Sequence, residues 1–251
     1  MMALFLGLFW IAVTHEPHYL VTQNGMSNLV INTENWGLGA FFCYIVIAFL
    51  SIFSVSGTIA SEVENGMLAA VVPRPVYRAE IVLGKWLGYA LAEAAYVTVL
   101  FMGIVAISGS FEGVIPTWPT LILAWMLFVG QAWVLLAVGL LGSIVLPTLA
   151  NGVTLGLLFV IAFLSGGVAQ LPVSPLFTHI TLGISLLLPT DGLYRRAVYE
   201  LMRASAGGLG SALLGPFGAR HVPSNMFLVY AALYLVGVLW LAVRLFNQKN
   251  I

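Results

Sequence analysis

Leu38-Gly-Ala-Phe-Phe-Cys-Tyr-Ile-Val-Ile-Ala-Phe-Leu-Ser-Ile-Phe-Ser-Val-Ser-Gly-Thr-Ile-Ala60 carries no charged residue from end to end. A helix needs about 20 apolar residues to cross a hydrocarbon core of roughly 30 Å, and this run exceeds that length. Asn35 precedes it and Glu62 follows it, so both ends return to water. The composition repeats the message. Hydrophobic residues make up 61% of the 251 residues and charged residues 7%, where a soluble domain carries roughly 25% charged residues. Nine Lys and Arg with nine Asp and Glu cannot cover a water-facing surface of this size. Mean hydropathy is +1.05. The class is an all-α, polytopic membrane protein whose apolar excess faces the lipid bilayer. A net charge of zero offers no basic face for nucleic acid. The single cysteine, Cys43, cannot form an intrachain disulfide.

Four further runs approach or exceed spanning length: Ile81 to Ile107, Thr120 to Leu146, Gly152 to Gln170 and Asn225 to Val243. Met2 to Val13 is a sixth run of twelve residues, about 18 Å of helix. Either it thins the bilayer locally or the helix begins upstream of Met1, and the second reading is favoured. Residues 171–224 form the irregular part. They hold a half-length apolar stretch, His179 to Leu188, then Pro189-Thr190-Asp191, a polar helix from Gly192 to Ala204, and Gly-rich sequence at 206–210 and 215–218. The sequence thus predicts six transmembrane helices in one domain, 1–251, with a re-entrant or surface helix before the last span.

Basic residues in short loops mark the cytoplasmic side. Arg74, Arg78 and Lys85 lie between the first two full spans, and Arg244 and Lys249 follow the last. The segments Thr14 to Asn35 and Ser108 to Pro119 contain no Lys or Arg. Both termini are therefore expected in the cytoplasm, with 171–224 extracytoplasmic or re-entrant. Arg195, Arg196, Arg203 and Arg220 run against that count. A seventh crossing at Pro175 to Pro189 would move them inside, but it would be short and would put Arg244 and Lys249 outside.

The densest polar sequence is 61–80. Five of the eighteen charged side chains lie between Glu62 and Glu80, and Lys85 follows. Glu62 and Glu64 end the preceding helix in water. Gly66 permits the turn that a helix end needs. Met67 to Val72 is too short to span and can lie in the interface. Pro73 and Pro75 bracket Arg74 and keep it extended. Arg78 and Glu80 open the next helix, and Gly84 with Gly88 gives a small-residue face for close helix contact. Two readings stand: a tight turn with snorkelling basic anchors, or a rigid docking element for a cytoplasmic partner.

The order of these residues resembles a known family. Glu-x-Glu-x-Gly-x-Leu followed by Arg-Pro-x-x-Arg-x-Glu-Ile-x-x-Gly-Lys is similar to the cytoplasmic signature of ABC-2 type transporter permeases. It falls here on Glu62, Glu64, Gly66, Leu68, Arg74, Pro75, Arg78, Glu80, Ile81, Gly84 and Lys85. The resemblance extends to the six-span plan, the length, and Leu188-Pro189-Thr190-Asp191-Gly192-Leu193-Tyr194-Arg195. It implies the permease subunit of an ATP-binding cassette exporter in a cell membrane, the prokaryotic plasma membrane being expected. It further implies pairing with a second permease subunit, as a homo- or heterodimer, and docking of a cytoplasmic ATPase subunit on Glu62, Glu64, Gly66, Arg74, Pro75, Arg78, Glu80 and Lys85. The competing reading is a gradient-driven secondary transporter.

No enzyme is expected in this chain. A phosphate loop needs Gly-x4-Gly-Lys-Ser/Thr, and the only Gly-Lys pair, Gly84-Lys85, is followed by Trp86 with Ala79 where the first glycine would stand. ATP hydrolysis would come from the partner. His15-Glu16-Pro17-His18 reads as a polar loop, so no metal and no cofactor are expected. No catalytic constellation stands out, and Asp191 is the sole aspartate. Glu93 is the one acid deep in a span, where a charge costs at least ~2.5 kcal/mol on insertion scales. It marks either a helix–helix hydrogen bond or an intramembrane polar site. Gln131 and Asn151 are weaker candidates of the same kind. Trp10, Trp36, Trp86, Trp118 and Trp240 lie near span ends and read as an interfacial belt.

Overall fold

The computed structural model describes residues 2–15, 25–64, 77–111, 116–170, 175–219 and 221–248. Among them every regular element is helical. The α-helices are α1 (Met2–His15), α2 (Gly25–Val55), α3 (Ala60–Glu64), α4 (Arg78–Phe111), α5 (Trp118–Val145), α6 (Thr148–Val168), α7 (Pro175–Leu187), α8 (Thr190–Leu213) and α9 (Asn225–Gln248). A 3-10 turn, Gly215–Phe217, separates α8 from α9.

Five helical segments are long and apolar enough to cross a membrane: Asn35–Glu62, Arg78–Ser110, Trp118–Val145, Thr148–Val168 and Asn225–Gln248. They match the five full runs read from the sequence. The helix boundaries follow local chemistry. Pro119 sits in the first turn of α5, and extended Leu146 before Pro147 ends it, since the residue before proline avoids the helical region. Helix α4 has 34 residues, about 51 Å, so it outruns the hydrocarbon core and its Arg78 end stands clear of it. The sixth apolar run, α1, is 14 residues, about 21 Å. It lies against the far half of α4, where a Cβ on Gly103 would come 2.8 Å from Leu6 Cδ2.

The polar helix before the last span packs into the bundle against α5 and α2, and this departs from the loop-like picture that its composition suggests. Helix α8 makes its most extensive contacts with α5 and α2. Leu193, Tyr194, Ala197, Val198, Leu201 and Met202 are all buried, at the three- and four-residue spacing of one helix face. Tyr194 stacks at 4.4 Å, centroid to centroid, on Tyr44 of α2. The helix also runs on through the glycines at 207–210 to Leu213, beyond the expected end at Ala204. Helix α7 packs chiefly against α6 and touches α8 only slightly. Its last carbonyls, Leu186 and Leu187, accept hydrogen bonds from the Tyr230 and Tyr234 hydroxyls of α9 at 2.5 and 2.6 Å, which satisfies a helix end that has no further turn to bond.

The packing of α8 explains one tryptophan that the sequence misplaces. Trp36 is 1% exposed, not in an interfacial belt, because Met202 and Leu214 close over the neighbouring Gly37. Trp118 and Trp240 do lie on the surface at 73% and 60% exposure. Trp86 packs edge-on against Trp133, and both are half-buried.

Candidate functional site

The charged stretch between the first two long spans can be followed from both ends. Gly66, Arg74 and Pro75 lie outside the described residues, as does His15-Glu16-Pro17-His18 beyond its first residue. Glu64 is the last residue of α3. On the near side, Glu62 extends from α3 to Lys85 of α4, with Nζ 2.6 Å from Oε1. The same ammonium donates to the Thr58 carbonyl at 3.1 Å. On the far side, Glu80 folds back so that Oε2 accepts the Tyr77 backbone N–H at 3.3 Å. That reciprocal bond relieves an amide with no partner at the start of α4.

Arg78 points across the bundle. Its Nη1 donates to the carbonyls of Phe246 and Asn247, both at 3.3 Å. These belong to the last turn of α9, where free carbonyls and the negative end of the helix dipole favour a cation. The structure therefore brings Glu62 and Lys85 together and places Arg78 on the end of α9, while Glu80 holds its own helix start.

Sequence reasoning missed Ser143 here, and the partner of Asn151. Helix α2 stops at Val55 and α3 starts at Ala60, so residues 56–59 form a hydrogen-bonded turn that interrupts the regular α-helix within the first long span. Ser143 Oγ of α5 accepts the backbone N–H of Ile59 and of Ala60, at 2.8 and 2.9 Å. Asn151 Nδ2 of α6 donates to the Ser56 carbonyl at 3.0 Å and to Gly139 at 2.9 Å. A polar residue near a span end beside glycine-rich helix surface was the available signal. Asn151 had been singled out for its polarity, without its partner.

Glu93 is 3% exposed and faces α2. Ser51 Oγ donates to its Oε2 at 2.8 Å. Oε1 is buried with no hydrogen-bond partner among the described residues. Gln131 behaves similarly: Nε2 donates to the Tyr44 carbonyl at 3.0 Å, and its Oε1 is unpaired. These are helix–helix hydrogen bonds with spare acceptor capacity.

A buried ionic group went unread. Arg195 Nε lies 2.7 Å from Asp191 Oδ2, and both side chains are buried. Arg195 also donates to the Gly218 carbonyl, and Tyr194 donates to Phe217 at 2.8 Å, tying α8 to the 3-10 turn. Arg196 and Glu200 pair at 2.8 Å. A cavity of about 410 Å³ borders Asp191 and Arg195, with Gln170, Thr181, His221 and Phe227 in its wall. Among the described residues no three His, Cys, Asp or Glu side chains gather where they could hold a metal ion.

No curated protein matches the chain. A family model described as ABC-2 family transporter protein matches residues 6–251, which takes in every long span, the charged stretch at 61–80 and helices α7 and α8. Family permeases of this kind are membrane components of transport, partnered with cytoplasmic ATPase subunits and not themselves catalytic. The chain belongs to the ABC-2 family of transporter proteins.

Proposed function

We propose that this chain is the permease subunit of an ABC exporter. It works in a pair of permease subunits with two cytoplasmic ATPase subunits that hydrolyse the ATP, and residues 61–80 are where the ATPase docks. One observation carries the docking assignment: both ends of that segment are fastened to other helices. Lys85 joins α4 to Glu62 and Thr58, and Arg78 joins α4 to the end of α9. A push on a segment held in this way is delivered to several spans, whereas a slack turn would absorb it.

The basic residues at this end support a cytoplasmic location, in the plasma membrane of a prokaryotic cell. A second permease subunit has an open surface to meet. Cβ atoms added at Gly84 and Gly88 would touch nothing within 4 Å, so this small-residue face of α4 leaves room for close approach of another helix. A gradient-driven mechanism would rest on Glu93 alone.

The test is co-expression with an ABC ATPase sought in the neighbouring reading frames. The two proteins should co-purify and hydrolyse ATP together, and the permease alone should show no turnover. Failure to co-purify in either detergent or lipid nanodiscs would remove the proposal.

A further inference from the structure

Ser143 and Asn151 sit on neighbouring helices and grip the same interrupting turn of a third. The partners of its backbone groups show how the turn is held. Ser56 and Thr58 donate to Ile52 and Val55 carbonyls at 3.1 Å, and Ser61 donates to Gly57 at 3.1 Å. The N–H groups of Ile59 and Ala60 leave the helical ladder and go to Ser143 Oγ. The Ser56 carbonyl goes to Asn151 and the Thr58 carbonyl to Lys85. Ile59, Ser143 and Asn151 are each 2% exposed or less, so water does not substitute for these partners.

The glycines of α5 make the grip sterically available. A Cβ on Gly142 would overlap the Asn151 amide, and one on Gly139 would overlap Val55 at the end of α2. Gly152 of α6 lets Ser56 approach, its added Cβ falling 3.3 Å from the serine Cβ.

The same donors have a second set of acceptors. In a continuous α2–α3 helix, Ile59 N–H would bond the Val55 carbonyl and Ala60 N–H the Ser56 carbonyl, four residues back. Val55 O is now taken by Thr58 N–H and Ser56 O by Asn151. A wound turn would thus offer the Ile59 and Ala60 amides helical acceptors in place of Ser143, the kind of alternative pairing that a switch requires.

We propose that Ser143 and Asn151 are positioning residues of the transport cycle. They hold the turn at 56–59 as a hinge, and nucleotide-driven movement of the docking segment shifts that hinge toward a continuous helix, carrying α5 and α6 with it. The inference rests on the docking assignment above. It adds that the motion enters the bundle through this turn.

Hydrogen–deuterium exchange on the peptide covering 56–62 tests it, using the whole permease–ATPase complex with and without a non-hydrolysable ATP analogue. The wild-type complex should show slow exchange at Ile59 and Ala60 without nucleotide and at least a threefold change in rate with it. Ser143→Ala should raise the nucleotide-free rate at least tenfold and abolish the nucleotide response, with ATPase co-purification unchanged. Ser143→Thr, which keeps the hydroxyl acceptor, should restore the response. If Ser143→Ala does not fold, the wild-type comparison still decides. A wild-type complex that forms normally but shows no nucleotide-dependent exchange at 56–62 overturns the hinge and leaves docking intact. A wild-type permease that does not bind the ATPase overturns both.

Discussion

Lys85 and Glu62 close an ion pair of 2.6 Å between the helix that leads into the charged stretch and the helix that leads out of it. Lys85 also holds the Thr58 carbonyl, so one ammonium fixes both the turn at 56–59 and the helix beyond it. The pair is partly exposed, and its Coulomb term alone is screened. Its effect is geometric: it fixes the spacing of the two helix ends that bracket the docking segment.

Lys85→Met should therefore disturb coupling more than stability. We expect membrane insertion and thermal stability close to wild type, with reduced stimulation of ATP turnover by the permease. The charge swap Glu62→Lys with Lys85→Glu should recover part of the loss. Measuring ATP turnover of the reconstituted complex for wild type, Lys85→Met and the swap checks this. Equal turnover in all of them would show that the pair has no part in coupling.

Arg195→Leu should be among the most destabilising single changes. It strands the buried Asp191 carboxylate, and removing one partner of a buried pair costs about 3–5 kcal/mol. Asp191→Leu together with Arg195→Met should recover most of that, because a well-packed apolar pair avoids the desolvation of both ions. Thermal unfolding in detergent reads out the difference. A double variant as unstable as the single one would argue that each residue has a separate essential contact, the Gly218 carbonyl bond of Arg195 being the first to examine.

Glu93→Gln should be tolerated. The Gln oxygen can accept the Ser51 hydroxyl proton, or its N–H can donate to Ser51 Oγ while that hydroxyl donates to the Ile47 carbonyl. We expect normal assembly with the ATPase and transport-coupled turnover within about twofold of wild type. Normal assembly with abolished coupling would instead make Glu93 an intramembrane functional site.

The spans were legible because spanning is a local property: about 20 apolar residues in sequence decide it. Helices α4, α5 and α9 follow from runs that need no knowledge of neighbours. The contacts of the candidate site were not local. Arg78 reaches a carbonyl 168 positions away and Lys85 a carboxylate 23 away, and nothing in either residue names its partner. The position of α8 was hidden by its charges, which made it read as a loop helix. Four of its five charges pair four residues apart, Asp191 with Arg195 and Arg196 with Glu200, and Arg203 is exposed, so the spacing that lets the helix enter the bundle was present in the sequence. Trp36 was misread because its burial depends on packing from distant parts of the chain, with Met202 of α8 and Leu214 lying against the neighbouring Gly37.

The docking assignment is the central claim, and site-specific crosslinking tests it most directly. Single cysteines would be introduced at Ala69 in the charged stretch and at Glu112 in the opposite loop, with the buried native Cys43 replaced by Ala. A short bifunctional reagent should crosslink the permease to the ATPase from Ala69→Cys and not from Glu112→Cys, in a nucleotide-dependent way. Glu64→Ala should lower the yield at Ala69→Cys more than tenfold, the loss expected when a buried charged contact worth roughly 2–5 kcal/mol is removed. Crosslinking from Glu112→Cys, or undiminished binding when 61–80 is replaced by a neutral linker of equal length, would contradict the account.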